Sequence, residues 1–191
     1  MCINALGTIY VNEEFTKVMG AKSCIIDVTS MAGHMMPDLY PMQLFYRLAL
    51  KNEEAFVKAA VGMFKAMPAK LQPGAAYSIS KNFDIWYAKY YAMQVGDQGI
   101  RVLSVSPGDF ATPMGNLEKA DAENFLPKAS LKRFGDPDEM ACLLTGLADP
   151  DNGYLTAINV LCDGGVIASM KLNPLYSLKV TLKSGLGVLK G

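Results

Sequence analysis

The chain has 191 residues, with 18 Lys+Arg against 18 Asp+Glu, so no basic field points to nucleic acid. Hydrophobic residues make up 51% and charged residues 19%, which excludes a disordered chain and fits one domain with a real core. No apolar run reaches the roughly 18–20 residues of a membrane span, and the first residues lack the basic start and apolar centre of a signal peptide, so no membrane role is expected.

The four cysteines, Cys2, Cys24, Cys142 and Cys162, show no metal-ligand spacing. Cys24 and Cys162 lie in apolar, strand-like runs, as small core residues do. The set reads as that of a reduced, cytoplasmic protein with no metal site.

Residues 2–19 read as a helix on the spacing of Ile3, Leu6 and Tyr10, then Val11, Phe15 and Val18, with Gly20 as its cap. Residues 23–29 are a short β-branched run, typical of a strand buried on both faces, and Ser30 ends it. His34, the only histidine, reads as a surface loop residue. Two helices follow, over 39–50 and 53–67. Asn52 serves the second as cap, Glu53 and Glu54 fill its first turn, and Phe56, Ala60, Met63, Phe64 and Met67 form its stripe. Pro68 and Pro73-Gly74 close that segment. Residues 76–95 form a helix with an apolar stripe of Ile79, Phe83, Trp86, Tyr90 and Met93. Tyr87 and Tyr91 widen its girth, so burial on more than one side is expected. Residues 100–105 are the next strand, left by a Pro107-Gly108 turn. Residues 113–134 read as a loop. Asp136, Pro137 and Glu139 then open a helix to about Ala148 with a capping box. The last strand covers 157–162 and ends in Asp163-Gly164-Gly165, and residues 169–191 are a mildly basic tail.

Tyr77 and Lys81 are four residues apart on the 76–95 helix, which sets them on one face about 6 Å apart. A phenol titrates near 10 in water, and an ammonium beside one favours its phenolate, so such a pair is a candidate general acid/base. YxxxK alone occurs often by chance, and a tyrosine and lysine on an ordinary helix look the same. The flanking sequence separates the two readings. A strand ending in Ser30-Met-Ala-Gly33, the YxxxK helix, a strand ending in Pro107-Gly-Asp-Phe-Ala-Thr-Pro-Met114 and a last strand ending in Asp163-Gly-Gly165 follow in this order. Together they resemble the short-chain dehydrogenase/reductase family over most of residues 2–168.

The resemblance implies an α/β fold, the carboxyl-terminal half of a Rossmann-type doubly wound parallel sheet, within residues 1–168. It implies reversible hydride transfer between NAD or NADP and a secondary alcohol or ketone. Tyr77 would exchange the proton, Lys81 would hold the ribose and act on Tyr77, and Ser30, rather than its neighbour Thr29, would orient the substrate oxygen. Asn4, in Asn-Ala-Leu-Gly-Thr, maps onto the asparagine that orders a relay water, although an asparagine there also suits an N-terminal cap. Pro107, Gly108, Phe110 and Thr112 would line the nicotinamide, and residues 113–134 would form the substrate loop. Where Ala157 stands, family members usually have glycine, with a small local effect expected. The helical insertion at 34–72 resembles that of the bacterial 3α-hydroxysteroid dehydrogenase/carbonyl reductase branch. It would either cap an apolar substrate such as a 3-hydroxysteroid or pack on a partner subunit. The YxxxK helix packs between subunits in the family, so a homo-oligomer is expected.

No glycine-rich turn between a first strand and helix is present, and Gly185-Leu-Gly187 lacks the flanking elements such a turn needs. The resemblance therefore starts past the dinucleotide-binding portion. The rival expectation is an inactive fragment serving only as an interaction or structural subunit.

Overall fold

The computed structural model describes residues 1–36, 40–113 and 125–173. Three parallel strands, β1 (Cys24–Val28), β2 (Arg101–Pro107) and β3 (Asn159–Cys162), form a sheet in that order. The central strand β2 is buried along all but its last residue, Arg101, Ser104 and Ser106 included. Val28 pairs with Val105 and Pro107 with Cys162, so the carboxyl ends of all three strands lie on one edge. β3 starts at Asn159, later than expected, because Ala157 takes a left-handed φ of 57° that no strand continues through. That conformation is the physical reason glycine suits position 157.

A π-helical turn, Cys2–Leu6, leads into α1 (Gly7–Thr16). α1 stops short of the expected end, since Lys17, Val18 and Met19 turn back onto the carbonyls of Glu14, Phe15 and Thr16. Its expected apolar face is also corrected. Ile3, Tyr10, Val11, Phe15 and Val18 are exposed, and Ala5, Leu6, Ile9 and Asn12 are the buried positions. Leu6 alone of the expected stripe faces inward, and polar Asn12 lies inward because it has specific partners there. Asn12 donates to both oxygens of Asp27 at 3.0 and 3.2 Å, and the Tyr91 hydroxyl donates to Thr16 at 2.9 Å.

The inserted helices are α2 (Tyr40–Lys51) and α3 (Glu53–Lys65), and Asn52 caps α3 by accepting from the Ala55 amide at 2.9 Å. Phe56, Ala60 and Phe64 are buried as the stripe predicts. α4 (Gln72–Val95) begins earlier than expected. Pro73 and Gly74 lie in its first turn, where proline's missing N–H costs nothing, and so do not close the preceding segment. α4 is buried on more than one side, with Met93 alone of its expected stripe exposed. Tyr46 of α2 packs edge-on to Phe83 at 5.4 Å, Phe56 of α3 lies 5.9 Å from the same ring, and Tyr87 stacks on Tyr91. The insertion thus covers Phe83 and Trp86 of α4 within one chain.

Across the sheet, Leu103 and Val105 pack with Leu143, Leu144 and Leu147 of α5 (Pro137–Ala148). The capping box forms as expected, Asp136 accepting from the Asp138 amide and Glu139 from the Asp136 amide. Buried Arg101 donates to the carbonyls of Leu147, Ala148, Asp149 and Leu155 at 3.0–3.2 Å, holding the end of α5 to β2. α6 (Val166–Leu172) turns the first residues of the expected tail into helix. Residues 114–124 of the expected loop and 174–191 of the tail lie outside the described residues. Among the described residues no helix is long and apolar enough to cross a membrane.

Candidate active site

Ser30 leaves β1 and starts a 3₁₀ turn, Met31–Met35, whose Ala32 amide donates to the Ser30 hydroxyl at 3.1 Å. Continuing the β1–β2 register past Val28 sets Ser30 level with Pro107. Gly33 lets this turn touch α4. A Cβ there would meet the backbone carbonyl carbon of Lys81 at 2.8 Å and the amide of Asn82 at 2.9 Å. The Asn82 side chain adds a tie, donating to the Gly33 carbonyl at 2.8 Å. This close approach brings Lys81 to the end of β1. Its ammonium donates to the Val28 carbonyl at 3.1 Å and lies 3.4 Å from Asp84 Oδ2.

Tyr77, one turn earlier on α4, is 45% exposed. Among the described residues no hydrogen bond joins the side chains of Ser30, Tyr77 and Lys81 to one another. Asn4 reaches the same turn of helix from the other side: its amide donates to Ser80 at 3.2 Å, and Ser80 donates to the Tyr77 carbonyl at 2.7 Å. Pro107, Gly108, Phe110 and Thr112 follow β2. Gly108 donates to the Cys162 carbonyl, Phe110 pairs with Gly135, and the Thr112 amide donates to the Phe110 carbonyl. Side chains are barred at Gly108 and Gly135, where a Cβ would meet Asp163 Cα at 2.6 Å and the Phe110 ring at 2.5 Å. A cavity of about 120 Å³ opens beside Phe110, Leu131, Cys162 and Asp163, well below the size of a small-molecule site. Of the expected site residues it includes Phe110 alone.

Two carboxyls lie under Lys81. Burial pushes Asp84 up to about 7, Lys81 pulling the other way, and burial pushes Asp27 up to about 6 against its Asn12 hydrogen bonds. Neither was singled out from sequence; an aspartate three residues past Lys81, inside an apolar helix, was the available signal.

His34 corrects the surface-loop expectation. It is half-buried, its Nε2 2.7 Å from Asn159 Oδ1 and 3.1 Å from Ser106, which in turn lies 2.6 Å from Thr29. Burial lowers its pKa, the Asn159 contact opposing. This network occupies Thr29 and leaves Ser30 as the hydroxyl at the strand end.

The fit of a dinucleotide divides in two. Lys81, Pro107 and Gly108 stand at strand ends, with Tyr77 one helical turn before Lys81, and there the ribose and nicotinamide would sit. Among the described residues, the turn with consecutive glycines between a strand and a helix is Gly164-Gly165. There the Asp163 carboxylate already takes the amides of Gly165 and Ile167 at 2.8 and 2.7 Å, so that turn does not suit a pyrophosphate.

A parallel sheet with a Ser-x-x-Gly turn and a YxxxK helix meeting at its carboxyl edge defines a Rossmann-like α/β protein. A family model described as Enoyl-(Acyl carrier protein) reductase matches residues 59–167. The chain is 25% identical over 173 residues to short-chain dehydrogenase/reductase bsc3 of Alternaria brassicicola, covering 88% of this chain and 62% of that protein. It is 34% identical over 95 residues to 7alpha-hydroxysteroid dehydrogenase of Bacteroides fragilis, covering 49% and 37%. Among solved structures, a double mutant of a Serratia marcescens short-chain dehydrogenase/reductase superposes with a TM-score of 0.64 at 21% identity, over 86% of this chain and 54% of that one. A 4-hydroxyisoleucine dehydrogenase complexed with NADH gives 0.61 at 25% identity, over 87% and 57%. The chain belongs to the short-chain dehydrogenase/reductase family, and it spans about half the length of the solved structures it matches.

Proposed function

We propose that this chain carries the proton-transfer and nicotinamide side of an NAD- or NADP-dependent oxidoreductase that interconverts a secondary alcohol and a ketone. The observation that carries the reading is the Gly33 contact. It brings the Lys81 ammonium to the end of β1 one turn from an exposed Tyr77, beside Ser30. In this reading a bound nicotinamide supplies or accepts the hydride. Tyr77 gives or takes the hydroxyl proton, Lys81 acts on Tyr77 and the ribose, and Ser30 donates to the substrate oxygen. Asn4 holds the Tyr77 turn through Ser80 and orders the relay water. Pro107, Gly108, Phe110 and Thr112 line the nicotinamide.

An apolar substrate such as a 3-hydroxysteroid is supported by the likeness to a 7alpha-hydroxysteroid dehydrogenase, while α2 and α3 serve α4's core first. Exposed Val11 and Phe15 of α1, with Val18 just beyond it, support a homo-oligomer, and four free cysteines among the described residues support a reducing, cytoplasmic setting.

The test is fusion of this chain behind the glycine-rich half of a related dehydrogenase. Ketone-dependent loss of NADH or NADPH absorbance is expected, and Tyr77→Phe should abolish it with the circular dichroism unchanged. Turnover retained by Tyr77→Phe removes Tyr77 as the proton donor.

A further inference from the structure

Asp84 is 2% exposed on α4, one turn beyond Lys81. Its Oδ2 lies 3.4 Å from the Lys81 ammonium, and its Oδ1 has no hydrogen-bond partner among the described residues. The groups around it are few. Asp27 faces it from β1, but both Asp27 oxygens accept from Asn12. Thr8 faces it from α1, but its hydroxyl donates to the Asn4 carbonyl at 2.8 Å. Among the described residues Lys81 is therefore its one cationic partner, and the lysine is held between that carboxyl and the Val28 carbonyl. A carboxylate buried this deeply without a partner is strongly disfavoured, so its charge and the position of the ammonium depend on each other.

We propose that Asp84 is a positioning residue for Lys81. Ionised, it draws the ammonium down against the end of β1; protonated, it frees the ammonium to reach toward Tyr77. The inference rests on the role given to Lys81 in the proposed reaction. Burial pushes the Asp84 carboxyl up to about 7, which puts the exchange between the two positions in the neutral range. The second carboxyl, Asp27, is pushed to about 6 by the same cause and must be separated from it.

The experiment is a pH titration of the full 191-residue chain by ¹⁵N NMR of the lysine ammonium groups, with Lys81 assigned by Lys81→Arg. The Lys81 resonance should move with a midpoint near 7. That movement should persist in Asp27→Asn and disappear in Asp84→Asn. A flat Lys81 resonance in the wild type overturns the proposal. So does a shift that Asp84→Asn retains or that Asp27→Asn also removes. The wild-type titration stands even where a variant fails to fold. No nucleotide enters the experiment, so its failure leaves the dehydrogenase reading to the Tyr77→Phe test.

Discussion

Gly33→Ala puts one methyl group into the contact that assembles the site. The added Cβ would stand 2.8 Å from the Lys81 carbonyl carbon, 2.9 Å from the Asn82 amide and 2.9 Å from Ile85 Cδ1. Two of these are backbone atoms of α4, which cannot swing aside as a flexible side chain can. Relief to an ordinary separation of about 3.5–4.0 Å requires the 3₁₀ turn to back away from α4 by roughly 1 Å. Overpacking of this kind costs about 1–3 kcal/mol, and it stretches the Asn82–Gly33 hydrogen bond of 2.8 Å as well. Gly62 is the matched control: it lies inside α3 with open space around its Cα, so Gly62→Ala should stabilise by about 0.5–1 kcal/mol. Urea unfolding of the two variants, followed by far-ultraviolet circular dichroism, reads the difference. A Gly33→Ala midpoint equal to or above that of the wild type would refute the close approach, and with it the seating of Lys81 at the end of β1.

Ala157→Gly should stabilise the chain by about 0.5–1 kcal/mol: removing the Cβ relieves a left-handed residue, and part of the gain is lost to the freer unfolded chain. Thermal melting checks it. Tyr87→Phe should be neutral or stabilising, because the buried Tyr87 hydroxyl has no partner among the described residues; a loss above about 1 kcal/mol in the same assay would reveal one. Stability should fall as pH rises. Asp84 and Asp27 are raised above the ordinary aspartate value of 3.8, so the folded chain holds their protons longer than the unfolded chain. The stability they give is complete below about 4 and is lost towards 6 for Asp27 and 7 for Asp84, by at most about 1.4 kcal/mol per pH unit for each carboxyl. Asp84→Asn should flatten the upper part of that slope in urea titrations.

The strands, the capped helices and the order of the Ser30, Tyr77 and Pro107 motifs could be read from sequence because each rests on short-range pattern. Asn52 and Asp136 cap within three residues, and the β-branched residues of β1 and β2 need no partner to be recognised. What sequence missed depends on distant partners. The spacing of apolar residues on α1 marked its outer face, because the inner face is chosen by Asp27 and Tyr91, 15 and 75 residues away from Asn12 and Thr16. His34 looked like a loop residue because Ser106 and Asn159 lie 72 and 125 positions further on. The role of Arg101 has no sequence signal because its four carbonyl partners come together only in the fold. Asp84 cannot be told from sequence, because an aspartate in an apolar helix has meaning only with the ammonium beside it.

The most direct measurement compares the binding of NADH and of reduced nicotinamide mononucleotide to the chain by calorimetry, with Tyr77 and Lys81 followed by NMR. If Tyr77, Lys81, Pro107 and Gly108 address only ribose and nicotinamide, the adenylate half of NADH adds nothing. Both ligands should then bind alike, with dissociation constants near a millimolar, about −4 kcal/mol, while the Tyr77 and Lys81 resonances shift together. Micromolar binding of NADH, or binding of either nucleotide that leaves Tyr77 and Lys81 undisturbed, would contradict the account.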